Sequence, residues 1–273
     1  MQPFVKWAGG KRQLLTEILK RLPHNFDTYY EPFIGGGALL FDLAPSKAVV
    51  GDINKVLVDT YQAIKNNSAL LMRLLEEYEK RHNSAIDKKY FYYSMRDCYN
   101  NKITNDEYNV ETAALFMYLN KTCFNGLYRV NSKGLFNVPF NNCRNLVIYN
   151  KENIEEISIY MKQVDIEVRD FEETCKNAKE GDFVFFDSPY APLKDDSFES
   201  YTKDGFALEE HVRLAKLYKR LSNRGIKCIL TNHNTKLIND LYKDFKIEVI
   251  QVKRMINRDT NNRTGEEVII TNY

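Results

Sequence analysis

Disulfide chemistry, thiolate metal binding and membrane insertion are what this sequence argues against first. Its five cysteines, Cys98, Cys123, Cys143, Cys175 and Cys228, are odd in number, scattered and never spaced Cys-x-x-Cys. That excludes a disulfide framework and a zinc site, and it fits a reducing cytoplasm. No apolar run approaches membrane-spanning length, and the start Met1-Gln2-Pro3-Phe4-Val5-Lys6-Trp7 lacks the apolar core of a signal peptide. Repeats, low-complexity tracts and an interdomain linker are all missing. So are two nucleotide signatures. The glycines do not fall as G-x-G-x-x-G, and Arg12 follows Lys11 where a P-loop needs Ser or Thr for magnesium. Overall charge also says little, being +2 over 273 residues.

The distribution of charge says more. From Thr112 to Lys151 there is no Asp or Glu, while Lys121, Arg129, Lys133, Arg144 and Lys151 are basic. Charge of one sign marks a surface able to face phosphates, with a chance acid-free stretch as the alternative. Tyr and Phe number 18 and 16, useful for base stacking and equally ordinary in a core. The length allows one large domain with a smaller insertion.

The rest of the chain is organised around Phe183-Val184-Phe185-Phe186-Asp187-Ser188-Pro189-Tyr190. Four apolar residues in a row predict a strand buried on both faces, as in a parallel sheet. Pro189 forces a turn, leaving Asp187 at the carboxyl end of the strand, where open α/β sheets place ligands. An aspartate that merely caps a turn is the alternative. Upstream, Trp7-Ala8-Gly9-Gly10-Lys11 precedes an amphipathic helix from about Lys11 to Arg21. Glycines at a positive helix end suit a carboxylate or phosphate. Tyr29-Tyr30-Glu31 predicts a strand, followed by Pro32-Phe33-Ile34-Gly35-Gly36-Gly37 and a helix through Leu43. A second strand, Ala48 to Gly51, ends in Asp52, placed either to accept from a ribose or to cap a helix starting near Asn54. Helices are expected over Ser68–Lys80, Lys88–Tyr99, Glu111–Lys121 (apolar on the face of Ala114, Leu115, Tyr118 and Leu119), Leu208–Ser222 and Thr235–Lys243. Further strands are expected over Ile166–Arg169, Ile226–Thr231, Lys246–Val252 and Glu267–Thr271. Ala191 to Gly205 reads as an active-site loop, and the loop Lys253 to Gly265 is basic, with Lys253, Arg254, Arg258 and Arg263.

Between Thr122 and Phe140, the turn formers Asn131 to Gly134 lie between two apolar-bearing arms, which predicts a β-hairpin. Arginine, lysine and asparagines interleave there with exposed-looking aromatics. Those are donors for guanine, amides for adenine or phosphate, and an aromatic able to enter the base stack. A surface hairpin with a few core aromatics is the alternative.

In this order, Trp-x-Gly-Gly-Lys, Glu-Pro-Phe-x-Gly-Gly-Gly, a strand-ending aspartate, a basic hairpin and Asp-Ser-Pro-Tyr, the chain resembles the Dam-type, alpha-group DNA adenine-N6 methyltransferases over nearly its whole length. Asn125-Gly-Leu-Tyr-Arg-Val-Asn131 and Phe136-Asn-Val-Pro-Phe140 look like the members that read GATC. The resemblance implies an α/β, Rossmann-like methyltransferase sheet with a small helical and β-hairpin DNA-recognition domain inserted. Residues 1–60 and 160–273 would be catalytic, and 61–159 would read the target. It implies S-adenosylmethionine as cofactor, S-adenosylhomocysteine as product, and no metal. The cofactor residues would be Trp7, Gly9, Gly10, Lys11, Glu31, Phe33, Gly35, Asp52, Ile53, Asp170, Phe171 and Asp187. Trp and Phe faces suit the adenine and, by cation–π attraction, the sulfonium. Lys11 suits the methionine carboxylate, Asp52 the ribose and Asp170 the adenine amine.

Catalysis would fall to Asp187, Ser188, Pro189 and Tyr190. The Asp187 carboxylate and Ser188 carbonyl would accept the two N–H bonds of a flipped adenine, with Tyr190 stacked on its ring. DNA would be met by Lys6, Phe124, Asn125, Leu127, Arg129, Asn131, Lys133 and Pro139, with Arg129 forked onto a guanine and Phe124 wedged into the stack. The implied partners are double-stranded DNA and a restriction endonuclease sharing the site without direct contact. The implied setting is the cytoplasm of a bacterium or its phage, with no membrane. One departure is Ser188, where the family usually has proline. It loosens the turn but keeps the carbonyl, and it leaves a catalytically weak DNA-binding relative as one alternative. An RNA or protein N-methyltransferase with the same cofactor site is the other.

Overall fold

In the computed structural model the described residues are 1–7, 12–193, 206–253 and 264–273. Seven strands form one mixed sheet: β1 (Tyr29–Glu31), β2 (Ala48–Asp52), β3 (Val164–Val168), β4 (Phe183–Phe186), β5 (Lys227–His233), β6 (Lys246–Lys253) and β7 (Thr264–Thr271). Their order is β3-β2-β1-β4-β5-β7-β6. β1 pairs in parallel with β2 and β4, and β4 with β5, whereas β7 runs antiparallel to β5 and β6. The order reverses between β1 and β4, the switch point where a doubly wound sheet opens a ligand crevice. The glycine-rich turn leaves β1 and Asp187 leaves β4 on that carboxyl edge. No described helix is long and apolar enough to cross a membrane.

The chain divides into two compact units. One comprises Lys11–Ile34, Pro45–Gly51 and Arg169–Tyr273. It holds β1, most of β2, β4 to β7 and the helices α1 (Arg12–Leu19), α7 (Phe171–Cys175), α8 (Leu208–Asn223) and α9 (Lys236–Leu241). β4 is buried at all four positions, as its unbroken apolar run requires. Val184, Phe186, Tyr218, Leu230 and Ile270 form one core with Phe171 and Cys175.

The other unit comprises Met1–Gly10, Gly35–Ala44 and Asp52–Val168. It holds α2 (Ala38–Leu43), α3 (Lys55–Ser84), α4 (Lys88–Thr104), α5 (Val110–Thr122), α6 (Lys151–Met161) and β3. The expected helices at Asn54 and Ser68 are one helix, α3. Asn54 caps it by accepting from the Leu57 amide at 3.1 Å, and it kinks where Asn67 leaves helical geometry (φ −139°, ψ 32°). The α6 helix, capped by Asn150, and the short α7 lay outside the expected elements.

Two expectations are corrected. Helix α5 has no solvent-facing side along most of its length, because Thr112 through Asn120 are all buried, and a helix apolar nearly all round belongs inside. The hairpin arms carry single bridges, Cys123 with Phe140 and Val130 with Phe136, rather than a regular ladder. Two backbone bonds flank each bridge, from the Phe124 amide to the Pro139 carbonyl and from Asn141 to Thr122 at the first, and from Asn137 to Arg129 and Asn131 to Leu135 at the second. Side chains hold other amides of the segment. Asn131 Oδ1 accepts from the Lys133 and Leu135 amides, Asn100 Oδ1 accepts from that of Phe136, and Pro139 has none to give. The arm aromatics are mostly inside: Phe136 is buried, Tyr128 and Phe140 are half-buried, and only Phe124 among them is exposed.

Candidate functional site

The parallel pairing of Phe186 with Leu230 brings the next residue of each strand, Asp187 and Thr231, side by side. Thr231, fully buried, donates its hydroxyl to Asp187 Oδ1 at 2.9 Å. Asp187 itself is half-buried. The Ser188 side chain is buried, and its hydroxyl accepts from Asn232 Nδ2 at 3.4 Å. Asn232 Oδ1 accepts the amides of Ala191 (2.8 Å) and His233 (2.9 Å), and His233 Nδ1 donates to the Ala191 carbonyl at 2.8 Å. Pro189 is exposed. Tyr190 donates its hydroxyl to Glu267 Oε2 at 2.8 Å and meets the His233 ring edge-on at 4.7 Å. Thr231, Asn232, His233 and Glu267 were not among the expected site residues. The signal for the first three was a polar Thr-Asn-His run closing an apolar strand, which by itself does not say which loop it grips.

In the same unit an aromatic cluster surrounds Phe33, which stacks on Phe171 (5.4 Å, 29° between planes) and meets Phe206 edge-on. The Arg213 guanidinium lies over Phe171 at 4.1 Å, within cation–π reach, and pairs with Asp170. Asp170 also caps α7 by accepting the Glu172 amide at 2.9 Å. Its carboxylate thus has a fixed orientation and, with four lone-pair sites, capacity for further donors. Glu31 is buried at the end of β1 and accepts from the Tyr29 hydroxyl at 2.9 Å.

The other unit brings together Trp7, Gly35 and Asp52. Gly35 has φ +48°, and a Cβ there would stand 2.8 Å from Trp7 Cδ1, so this position excludes any other residue without displacing the indole. Asp52 accepts the amides of Gly35 (3.2 Å) and Asn54 (2.9 Å). Burial raises its carboxyl above the ordinary range, and these backbone donors pull the other way. The Tyr61 hydroxyl donates to the Gly35 carbonyl at 3.0 Å, fixing the loop from below. Ile53 is 76% exposed, an apolar side chain held out beside Asp52. Gly9, Gly10 and Lys11 lie outside the described residues, as do Arg254, Arg258, Arg263 and most of the loop after Leu193.

The hairpin segment of that unit presents its expected contact residues outward. Phe124, Asn125, Leu127, Arg129, Asn131, Lys133 and Pro139 are exposed, as is Lys6. Asn125 (φ +56°) and Gly126 (φ +66°) are left-handed, turning the tip sharply. Arg129 is held in place by Asn137, donating through Nε to Oδ1 at 2.7 Å and through Nη2 to the carbonyl at 3.3 Å. Asn131 spends its side-chain oxygen on the turn. Lys121 is half-buried, and burial together with nearby Lys6 lowers its pKa.

Comparison with known proteins converges on one chemistry. A family model described as D12 class N6 adenine-specific DNA methyltransferase matches residues 7–256. The chain is 43% identical to the Type II methyltransferase M1.LlaDCHI of Lactococcus lactis subsp. cremoris, covering 100% of this chain and 96% of that one. It is 41% identical to the Type II methyltransferase M.MjaIII of Methanocaldococcus jannaschii, over 100% and 99% of the two chains. To the DNA adenine methylase of Escherichia coli strain K12 it is 29% identical, over 99% and 94%.

Proposed function

Because the chain belongs to the D12 class of N6 adenine-specific DNA methyltransferases, we propose that it moves the methyl group of S-adenosylmethionine to an adenine flipped out of duplex DNA, within GATC. The observation that carries this reading is the half-buried Asp187 carboxylate at the carboxyl end of β4, oriented by the Thr231 hydroxyl. Adenine's exocyclic nitrogen is a poor nucleophile because its lone pair is spread into the ring. Asp187 and the Ser188 carbonyl accept its two N–H bonds and localise that pair. Tyr190, its hydroxyl tied to Glu267, presents its ring for stacking on the flipped base. The Asn232 bond to the Ser188 hydroxyl restrains a turn that lacks the family's usual proline.

The residues present fit the proposed methyl donor. Asp52 offers a carboxylate oriented by two amides for ribose hydroxyls. Trp7 and Ile53 offer apolar surface, and Lys11 with Gly9 and Gly10 is assigned to the methionine carboxylate. Glu31, Phe33, Phe171 and Asp170 serve the amino-acid and adenine ends. S-adenosylmethionine supplies an electrophilic methyl group on a sulfonium and leaves as S-adenosylhomocysteine. Positioning of the amine against that methyl is the main contribution of the chain.

Sequence reading is assigned to 61–159 with Lys6. Arg129, braced by Asn137, forks onto guanine, Phe124 enters the stack, and Asn125, Asn131 and Lys133 meet the backbone. Leu127 and Pro139 contact base edges. The Type II relatives support a place in a restriction–modification pair, whose endonuclease acts on the same sequence without touching this chain. The test uses labelled S-adenosylmethionine with GATC duplex, scrambled duplex and structured RNA. Label on adenine N6 of the GATC duplex is expected, and Asp187→Asn lowers kcat at least about a hundredfold. Stronger labelling of RNA overturns the DNA reading, and cofactor binding without transfer to any duplex favours the weakly catalytic alternative.

A further inference from the structure

The unit that holds α3 to α6 fastens much of its irregular backbone with asparagine side chains that clasp both the N–H and the C=O of one distant residue. Asn83 clasps Leu146 (2.8 and 3.0 Å), Asn100 clasps Phe136 (2.9 and 3.1 Å), and Asn153 clasps Gln2 (2.7 and 2.9 Å). Asn120 does the same to Lys6, accepting its N–H at 2.8 Å and donating to its carbonyl at 2.8 Å. Asn120 alone of the four makes a third bond out of the same amide, Nδ2 to the Gly126 carbonyl at 3.1 Å. It sits in the last turn of α5 with 2% of its surface exposed. Both of its amide hydrogens are therefore spent, one on the Lys6 backbone and one on the tip that carries Phe124, Asn125 and Leu127. The two segments it joins are in close contact, since a Cβ on Gly126 would fall 2.4 Å from Lys6 Cδ.

We propose that Asn120 is a positioning residue for DNA reading, which sets the Lys6 side chain and the 124–129 loop in one fixed register so that they read neighbouring bases as a single surface. The proposal rests on the DNA-methyltransferase reading above. A buried amide in an otherwise apolar helix is costly unless fully paired, and here the pairing is spent on two recognition segments rather than on the helix core. Lys6 and Arg129 approach the duplex from chain segments more than a hundred residues apart in sequence, and independent movement of either would blur the readout. A mere anchor and a positioning residue differ in what they alter. Loss of an anchor lowers stability and activity alike on every duplex, whereas loss of register lowers discrimination and uncouples Lys6 from the loop.

The experiment first finds the preferred sequence by methylation of a random duplex library. It then measures kcat and KM on that sequence and on its single-base variants, for the full chain and for Asn120→Ala, Lys6→Ala and the double substitution. Asn120→Ala is expected to reduce the preferred-to-variant ratio of kcat/KM about tenfold, the loss appearing mainly in KM. Lys6→Ala is expected to cost about tenfold in the parent background and under about threefold beside Asn120→Ala, as coupled sites require. Asn120→Asp keeps the acceptor for the Lys6 amide but loses both donors, and should show the same loss of discrimination even if the alanine variant folds poorly. Equal losses on all duplexes, or Lys6 effects that simply add, overturn the proposal. Failure of the parent chain to methylate adenine in any duplex defeats the underlying reading instead, and the two failures are distinct.

Discussion

The exit of β4 and the hairpin segment from Cys123 to Phe140 are built by different rules. At the exit, parallel strand register puts Thr231 beside Asp187, and side chains then bond to side chains in a largely buried setting. In the hairpin segment regular pairing is reduced to two bridges with their flanking backbone bonds, and side-chain amides such as that of Asn100 hold further residues one at a time. The first arrangement locates a few atoms tightly. The second leaves a long exposed edge on which residues can be exchanged without disturbing a ladder.

Each unit also buries a histidine, and acid should tell them apart most strongly. His82 bonds through both ring nitrogens, to the Tyr118 hydroxyl (2.9 Å) and the Cys143 carbonyl (3.1 Å), and burial lowers its pKa. His211 is buried with no partner for Nε2 among the described residues, and burial pulls it down from 6.5 to about 4. Above pH 6.5 both folded and unfolded chains hold His211 neutral. As pH falls toward 4 the unfolded chain takes the proton first, so stability drops, by up to about 3 kcal/mol, and then levels off. Denaturant melts between pH 4 and 7 should show this slope, and His211→Leu should remove the His211 share and leave that of His82.

Next in size, Arg129→Ala should cost roughly 1–3 kcal/mol of discrimination at one base while kcat on saturating DNA holds, as a methylation-site profile would read. An unchanged profile would remove Arg129 from the contrast. Asn100→Leu strips the Phe136 clasp and should lower stability by about 1–2 kcal/mol without changing the preferred sequence, measured by urea unfolding beside the profile. The smallest effect is expected from Thr231→Val, similar in shape but without the hydroxyl on Asp187. It should lower kcat about tenfold, near 1.4 kcal/mol, and leave discrimination intact. If Thr231→Val altered the profile, or Arg129→Ala altered kcat, the two regions would not be separable.

What the sequence revealed was local. Phe183–Phe186 announced a buried strand because four apolar residues meet a proline, and the helix start near Asn54 was expected, although the side chain that caps its first turn is that of Asn54 and not Asp52. The glycines of the β1 turn were legible because only they accept the Gly35 geometry beside Trp7. What stayed hidden depends on residues distant in the chain. Thr231 serves Asp187 only because β5 lies beside β4, and Asn100 holds the Phe136 backbone from 36 residues away. Helix α3 ran past its expected break because Asn67 bends the helix without ending it.

The pairing in the hairpin arms has a further consequence for how such a chain can change. In a strand of the sheet, one inserted residue flips every following side chain to the opposite face. Between Asn131 and Leu135, where the chain turns in solvent, an inserted residue lengthens the turn and leaves the bond from the Asn137 amide to the Arg129 carbonyl and the bridge of Cys123 with Phe140 where they were. On the proposed reading, new target sequences are therefore open to this scaffold through gain or loss of turn residues as well as through exchange.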